Sequence, residues 1–193
     1  LKQYGKPIEI TDVVMDLSED PVLSDASMLS GEQAALTGEM VTYGVVKAGT
    51  NVVYTNGAAR SSVNTPLSLN KLRSVTRFLM NQKAGRMTRM LASSPNYNTK
   101  AIEGGYIAIG HTDYAADIRN LPGFTPVAEY GSRQPLTPEE LGSVEDIRFI
   151  LSPELTPWVD AGGAYSGSGV AMVSTSGTSA VVYPLLVLGK EAF

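Results

Sequence analysis

The single histidine, His111, stands two residues before Asp113 and six before Asp117, so any catalytic triad or proton shuttle in this chain must run through it. Serine is plentiful, yet Gly167-Ser168-Gly169 fails the G-x-S-x-G pattern of a nucleophile elbow, because Ser166 occupies the first glycine position. A lone histidine between a strand and a helix caps the helix or fills a boundary site far more often than it catalyses. His111 with Asp113 and Asp117 lacks the second His or Cys that a zinc-type site requires, so no metal site is expected. Phosphate-binding glycine loops are missing too: Gly5-Lys6 and Gly189-Lys190 are followed by Pro7 and Glu191. No cofactor is expected. The acidic pairs Glu139-Glu140 and Glu145-Asp146 lie in proline-rich or loop context and read as solvated surface. The sharpest constellation is cationic: Lys71, Arg73, Arg77, Lys83, Arg86 and Arg89 with no acid among them, a set able to face phosphate or an acidic protein surface. Phe78 is the one aromatic in that stretch and the net charge is -4, which argues against sequence-specific nucleic-acid binding.

That cationic block is one part of a larger pattern. Between Pro7 and Val46 stand Glu9, Asp12, Asp16, Glu19, Asp20, Asp25, Glu32 and Glu39 with no basic residue. From Met40 to Ile102 there are basic residues and no acid, and beyond Glu103 acids dominate again. Segregated charge of this kind can supply complementary surfaces that steer association and fix orientation.

The elements that must position these groups can be read from periodicity. Tyr4-Gly5-Lys6-Pro7 is turn chemistry, and Ile8 to Val13 alternates as a half-exposed strand does. Asp20 as cap and Pro21 in the first helical position start a helix that runs to Ala48 and stops at Gly49. At 1.5 Å per residue that helix would be about 40 Å long. Gly31, Gly38 and Gly44 weaken it, each by up to about 1 kcal/mol relative to alanine, so the glycines serve close approach by another backbone, or the helix is curved or broken there. Asn51 to Tyr54 reads as a strand. Ser68 caps a second helix with Leu69, Leu72, Thr76 and Leu79 on its apolar side. Further strands are expected at Tyr106–Ile109, Ile147–Leu151, Val170–Val173 and Ala180–Leu188, with a short helix over Thr112–Arg119, an irregular stretch from Pro126 to Pro138, and a mobile loop from Gly162 to Gly169. Irregular interleaving of helices and strands predicts an α+β fold.

Composition narrows the function classes. A chain of 193 residues with 43% hydrophobic content can bury a core as one domain, or one domain with an appendage. Absence of cysteine removes disulfide frameworks and thiolate metal sites, and is consistent with a reducing setting. The apolar run Val181–Leu188 is too short to cross a bilayer and contains Pro184, so it reads as a buried strand and no membrane partner is expected. The first residue is Leu1 and no leader is visible, which is expected of a fragment or processed product.

Ordered segments then point to a family. Tyr4-Gly5-Lys6-Pro7 leads into Ile10-Thr11-Asp12, and the long helix from Asp20 ends near Lys47-Ala48-Gly49. Next come Gly105-Tyr106-Ile107-Ala108-Ile109-Gly110-His111-Thr112-Asp113 and Asp117-Ile118-Arg119 with Phe124. Gly142-Ser143-Val144-Glu145-Asp146-Ile147-Arg148-Phe149-Ile150 and Tyr183 to Phe193 complete the set. In this order they resemble the N4-like family of tailed-bacteriophage major capsid proteins. The resemblance implies a Hong Kong 97-type capsid fold, incomplete at both ends: residues 1–17 as the tail of an extended loop, 18–48 as the spine helix of a peripheral domain, and 50–193 as the axial domain, with Gly162–Gly169 near the capsomer axis. It also implies a shell-forming structural protein, not an enzyme, of a phage or prophage. Its partners would be itself in pentamers and hexamers, other capsid proteins, and packaged DNA without specificity. Its location would be the virion capsid, and the bacterial host cytoplasm during assembly. Under this resemblance the six cations from Lys71 to Arg89 face a neighbouring subunit or DNA. Two alternatives remain open, a cellular encapsulin-like nanocompartment shell and a hydrolase using His111.

Overall fold

The structure, a computed structural model, describes residues 4–5, 7–11, 13, 21–87, 104–131, 134–165 and 173–190. It divides into two compact units, Leu1–Thr50 and Asn51–Phe193.

The first unit is dominated by helix α1, Val22–Lys47, 26 residues in length. Pro21 is its cap and not its first helical residue: the Pro21 carbonyl accepts from the N–H groups of Ser24 and Asp25 at 2.9 and 3.1 Å. Asp20, expected as the cap, lies outside the described residues. Asp25 near the N-terminus and Lys47 in the last turn both complement the helix dipole. At the far end the N–H of Gly49 reaches the Val46 carbonyl at 3.0 Å, closing the last turn. The helix is continuous through all three glycines, and a Cβ built on Gly31, Gly38 or Gly44 meets nothing within 4 Å. The helix is therefore not broken at these glycines, and among the described residues of this chain no backbone lies against them. The Ile8–Val13 strand is corrected as well. Residues 7–11 join no ladder and Val13 is helical, because alternation alone gives no strand without a partner to take its hydrogen bonds.

The second unit is built on a five-stranded mixed sheet in the order β2-β3-β4-β1-β5. Its strands are β1 (Tyr106–Gly110), β2 (Phe124–Pro126), β3 (Glu140–Val144), β4 (Ile147–Leu151) and β5 (Leu186–Leu188). β1 and β4 run parallel, and the remaining pairs are antiparallel. Helix α2 (Leu69–Asn81) packs Leu72 into a core with Tyr106, Ala108, Val144, Ile147 and Phe149, and the short helix α3 (Ala115–Arg119) adds Ile118. Ser68 stands at the expected cap of α2, but its side chain makes no capping hydrogen bond. An α+β arrangement is what the pattern predicted.

Four expectations change. Asn51–Tyr54 is not a strand. β2 and β3 lie in segments that read as loop or irregular, although the 3-10 turn Val127–Glu129 keeps part of that irregular character. The last strand is shorter than Ala180–Leu188, with Ala180 and Val182 held instead by backbone bonds to Gly163 and Trp158. Finally, the Gly162 end of the expected mobile loop is anchored. Gly162 donates to the Ala180 carbonyl and Gly163 to the Val63 carbonyl, each at 2.9 Å. A Cβ on Gly162 would overlap the carbonyl oxygens of Val63 and Ala180, so glycine is required by this close approach. Residues 166–172, covering the rest of that loop and most of the Val170–Val173 strand, lie outside the described residues.

Candidate functional site

His111 follows β1 and caps the 3-10 turn Thr112–Tyr114: its Nδ1 accepts from the Asp113 N–H at 3.2 Å. This is the capping role the sequence favoured. The Asp113 carboxylate lies 3.3 Å from the same nitrogen and accepts from the Tyr183 hydroxyl, while the Tyr114 hydroxyl donates to the Tyr183 carbonyl. Burial, reinforced by the bond to Asp113, pushes the Tyr183 phenol well above its ordinary pKa. The geometry is that of a clasp, since the Tyr183 hydroxyl, the Tyr114 hydroxyl and the Asp113 N–H each find an acceptor within the group. It ties the segment before β5 to the turn after β1.

Asp117 does not join this group. It lines an open cleft with Asn64, Pro66, Tyr114, Val182 and Tyr183. Burial raises the Asp117 carboxyl above the usual range. Because the folded chain then holds this proton more tightly than the unfolded chain does, its contribution favours folding at low pH and is lost as pH rises through the raised value. Asp117→Asn is therefore expected to raise thermal stability at pH 7. The gain should shrink as pH falls below the carboxylate range, measured by paired melts across pH. Among the described residues, no three His, Cys, Asp or Glu side chains converge on a possible metal position.

The cationic block is divided by the fold. Arg73 on α2 forks onto Glu145 and Arg86 reaches Asp146 at 2.9 Å, so both bind the β3–β4 turn of their own chain. Glu145 adopts a positive φ of 50° there, which aims its carboxylate toward α2. Its carboxyl is held below the usual range by the hydrogen bond from Arg73. Arg86 also lies over the Tyr106 ring, 5.9 Å from its centroid. Lys71 is half-buried, whereas Arg77 and Lys83 are exposed, and none of the three has an ion-pair partner among the described residues. Arg89 lies outside the described residues. Phe78 and Met80, 41% and 43% exposed, give this face apolar area beside its charge.

One charged pair escaped the sequence reading. Glu139 is exposed as expected, but Glu140 is buried, which corrects its assignment to solvated surface. It starts β3 and turns inward because strand side chains alternate. Its carboxylate accepts from the Tyr130 hydroxyl at 2.6 Å and from the Leu136 N–H, and lies 3.5 Å from Arg148 Nη1. Arg148 donates also to the Gln134 carbonyl at 3.2 Å and sits 5.5 Å from the centre of the Tyr130 ring. Burial, with the bond to Glu140, pushes the Tyr130 phenol up to about 12. This network pins the connection between β2 and β3 to the sheet. A signal existed in the sequence: Arg148 stands between Ile147 and Phe149, where a strand with both faces covered would bury a cation.

Side chains of this chain thus hold loops and present mixed charged and apolar surface. No convergent reactive set appears among the described residues. Residues 1–189 match the model of the phage capsid protein family. The major capsid protein of Pseudomonas phage KPP21 is 23% identical over 205 aligned positions, which cover 100% of this chain and 51% of that protein. The chain therefore spans about half the length of the curated relative it matches. Among the described residues, no helix is long and apolar enough to cross a membrane.

Proposed function

The chain belongs to the phage capsid protein family, and from that premise we propose that it is the wall-forming portion of a major capsid protein, of N4-like type and Hong Kong 97-type fold. Residues 1–17 would be the tail of the extended loop, α1 the spine helix, and residues 50–193 most of the axial domain. The observation that carries this proposal is the family match over residues 1–189. Support comes from a 26-residue helix with an exposed face ahead of a compact α+β unit. Shell walls need rigid beams and broad complementary surfaces, and contacts that close into rings. In this proposal the parent protein assembles through pentamers and hexamers in the bacterial host cytoplasm and remains in the virion around double-stranded DNA. The exposed cations Arg77 and Lys83, with Lys71, face a neighbouring subunit or touch DNA without specificity.

Electron microscopy of the full-length parent gene product is expected to show shells or capsomer rings. Monomers that persist across protein and salt concentration would overturn the proposal. Contacts carried by exposed cations should weaken with ionic strength, because screening shortens to about 3 Å at molar salt. Light scattering of the assembling parent across a salt series reads that effect.

A further inference from the structure

Helix α1 is exposed over most of its surface, and one strip of it combines acidic with apolar side chains. At about 100° per residue, Asp25, Met28, Leu29, Glu32, Leu36 and Glu39 fall on one face. All six are exposed, with Met28 at 67%, Leu29 at 51% and Leu36 at 39%. Asp25, Glu32 and Glu39 recur at heptad spacing and have no ion-pair partner among the described residues. Helix α2 presents the reverse: Arg77 and Met80 share a face with Arg73, itself held by Glu145, and Lys83 follows, with no acid anywhere on the helix. The dimensions agree as well. From Asp25 to Glu39 is about 21 Å along α1, and the 13 residues of α2 extend about 20 Å.

We propose that the acidic–apolar strip of α1 in one copy docks on the cationic–apolar face of α2 in a second copy. The inference rests on the capsid reading and names two surfaces through which subunits would meet. Charge selects this pairing over its rivals. A symmetric α1–α1 contact would set acids against acids, and an α2–α2 contact would set Arg77 and Lys83 against themselves. Joining two different patches makes the contact heterologous, so repetition of it generates a ring or a filament. Leu29, Leu36 and Met28 against Met80 and the aliphatic stem of Arg77 supply the apolar burial, since exposed ion pairs by themselves add little. The charges fix partner and register.

Charge reversal tests it on the chain as it exists. Glu32→Lys with Glu39→Lys forms one variant, and Arg77→Glu with Lys83→Glu the other; a third carries all four changes. Sedimentation velocity at low ionic strength reads self-association, and circular dichroism verifies folding of these exposed-site variants. Each pair alone is expected to weaken association by about tenfold or more, and the four-fold variant to restore it to within about threefold of the parent chain. Association that ignores either reversal, or that the four-fold variant fails to recover, overturns the docking while leaving the capsid reading intact. A parent chain that stays monomeric at every concentration overturns the docking, and monomers of the full-length product under electron microscopy would be needed to overturn the capsid reading too. If the Arg77/Lys83 variant loses retention of a DNA duplex but keeps its self-association, the cationic face serves nucleic acid and the docking is wrong.

Discussion

Replacing Glu140 with alanine is expected to destabilise the second unit by about 3–5 kcal/mol, the cost of leaving a buried charge without its partner. The Tyr130 hydroxyl and the Leu136 N–H lose their acceptor, and the Arg148 guanidinium keeps the Gln134 carbonyl but loses its counter-charge. The Glu140 side chain is 0% exposed and that of Arg148 7%, so water cannot replace what is removed. Urea unfolding followed by far-UV circular dichroism measures the loss as a shift in midpoint at constant slope. Arg148→Ala should cost a comparable amount for the mirror reason, since an unpaired carboxylate then remains. The combined change Glu140→Leu with Arg148→Met should recover part of the stability, because it removes both charge desolvation costs together while the Tyr130 hydroxyl and the Leu136 N–H still lack their acceptor. Additive losses in the double variant would show that the two side chains act independently. Glu140→Gln is the milder probe: it retains an acceptor for Tyr130 or Leu136 but not the charge beside Arg148.

That pair also marks the boundary of what sequence patterns reveal. α1 and α2 were legible because apolar spacing, Ser68 and Gly49 agree with one another, and β1 and β4 because short apolar runs need little context. β3 was not. Glu140-Leu141-Gly142-Ser143-Val144 contains a β-bulge between Glu140 and Gly142, and its inward positions are a charge, a glycine and only then an apolar residue, so no apolar alternation marks it. Its identity as a strand comes from neighbours on both sides, which local sequence does not encode. Asn51–Tyr54 failed in the opposite direction, with strand-forming residues and no partner strand. Of the candidate site, the cationic block was legible as composition. Its division into Arg73 and Arg86, held by the β3–β4 turn, and Arg77 and Lys83, left outward, depends on tertiary contacts more than 50 residues apart in sequence. His111 is the instructive contrast. A cap acts on the next turn of the same segment, so its role could be inferred locally.

Phe149→Ala is expected to cost about 3–5 kcal/mol, the range for deleting a large ring from a well-packed core. Phe149 is 0% exposed and lies in β4, the strand flanked by β3 and β1. Its cross-strand partners are Ala108 on one side and Gly142 on the other. Two small neighbours leave the ring as the chief filler of that row, so its loss sets Ala, Ala and Gly side by side. Gly142 has no side chain to move into the gap, and the space at its Cβ position is already taken by the Phe124 ring, 2.7 Å away. Collapse is thereby limited, which places the cost toward the upper end of the range. Phe149→Leu should lose less, since it retains most of the buried volume. Phe78→Ala supplies the comparison that separates packing from residue type. That ring is 41% exposed on α2, and its removal should change chain stability by less than about 0.5 kcal/mol. Self-association should change less than in the charge-reversal variants, because Phe78 lies about 100° around α2 from Arg77, off the docking strip. Chemical denaturation of the dilute monomer and sedimentation of the concentrated protein read the two quantities separately. A Phe78 variant that unfolds as readily as the Phe149 variant would show that α2's outer face belongs to the core and not to an interface.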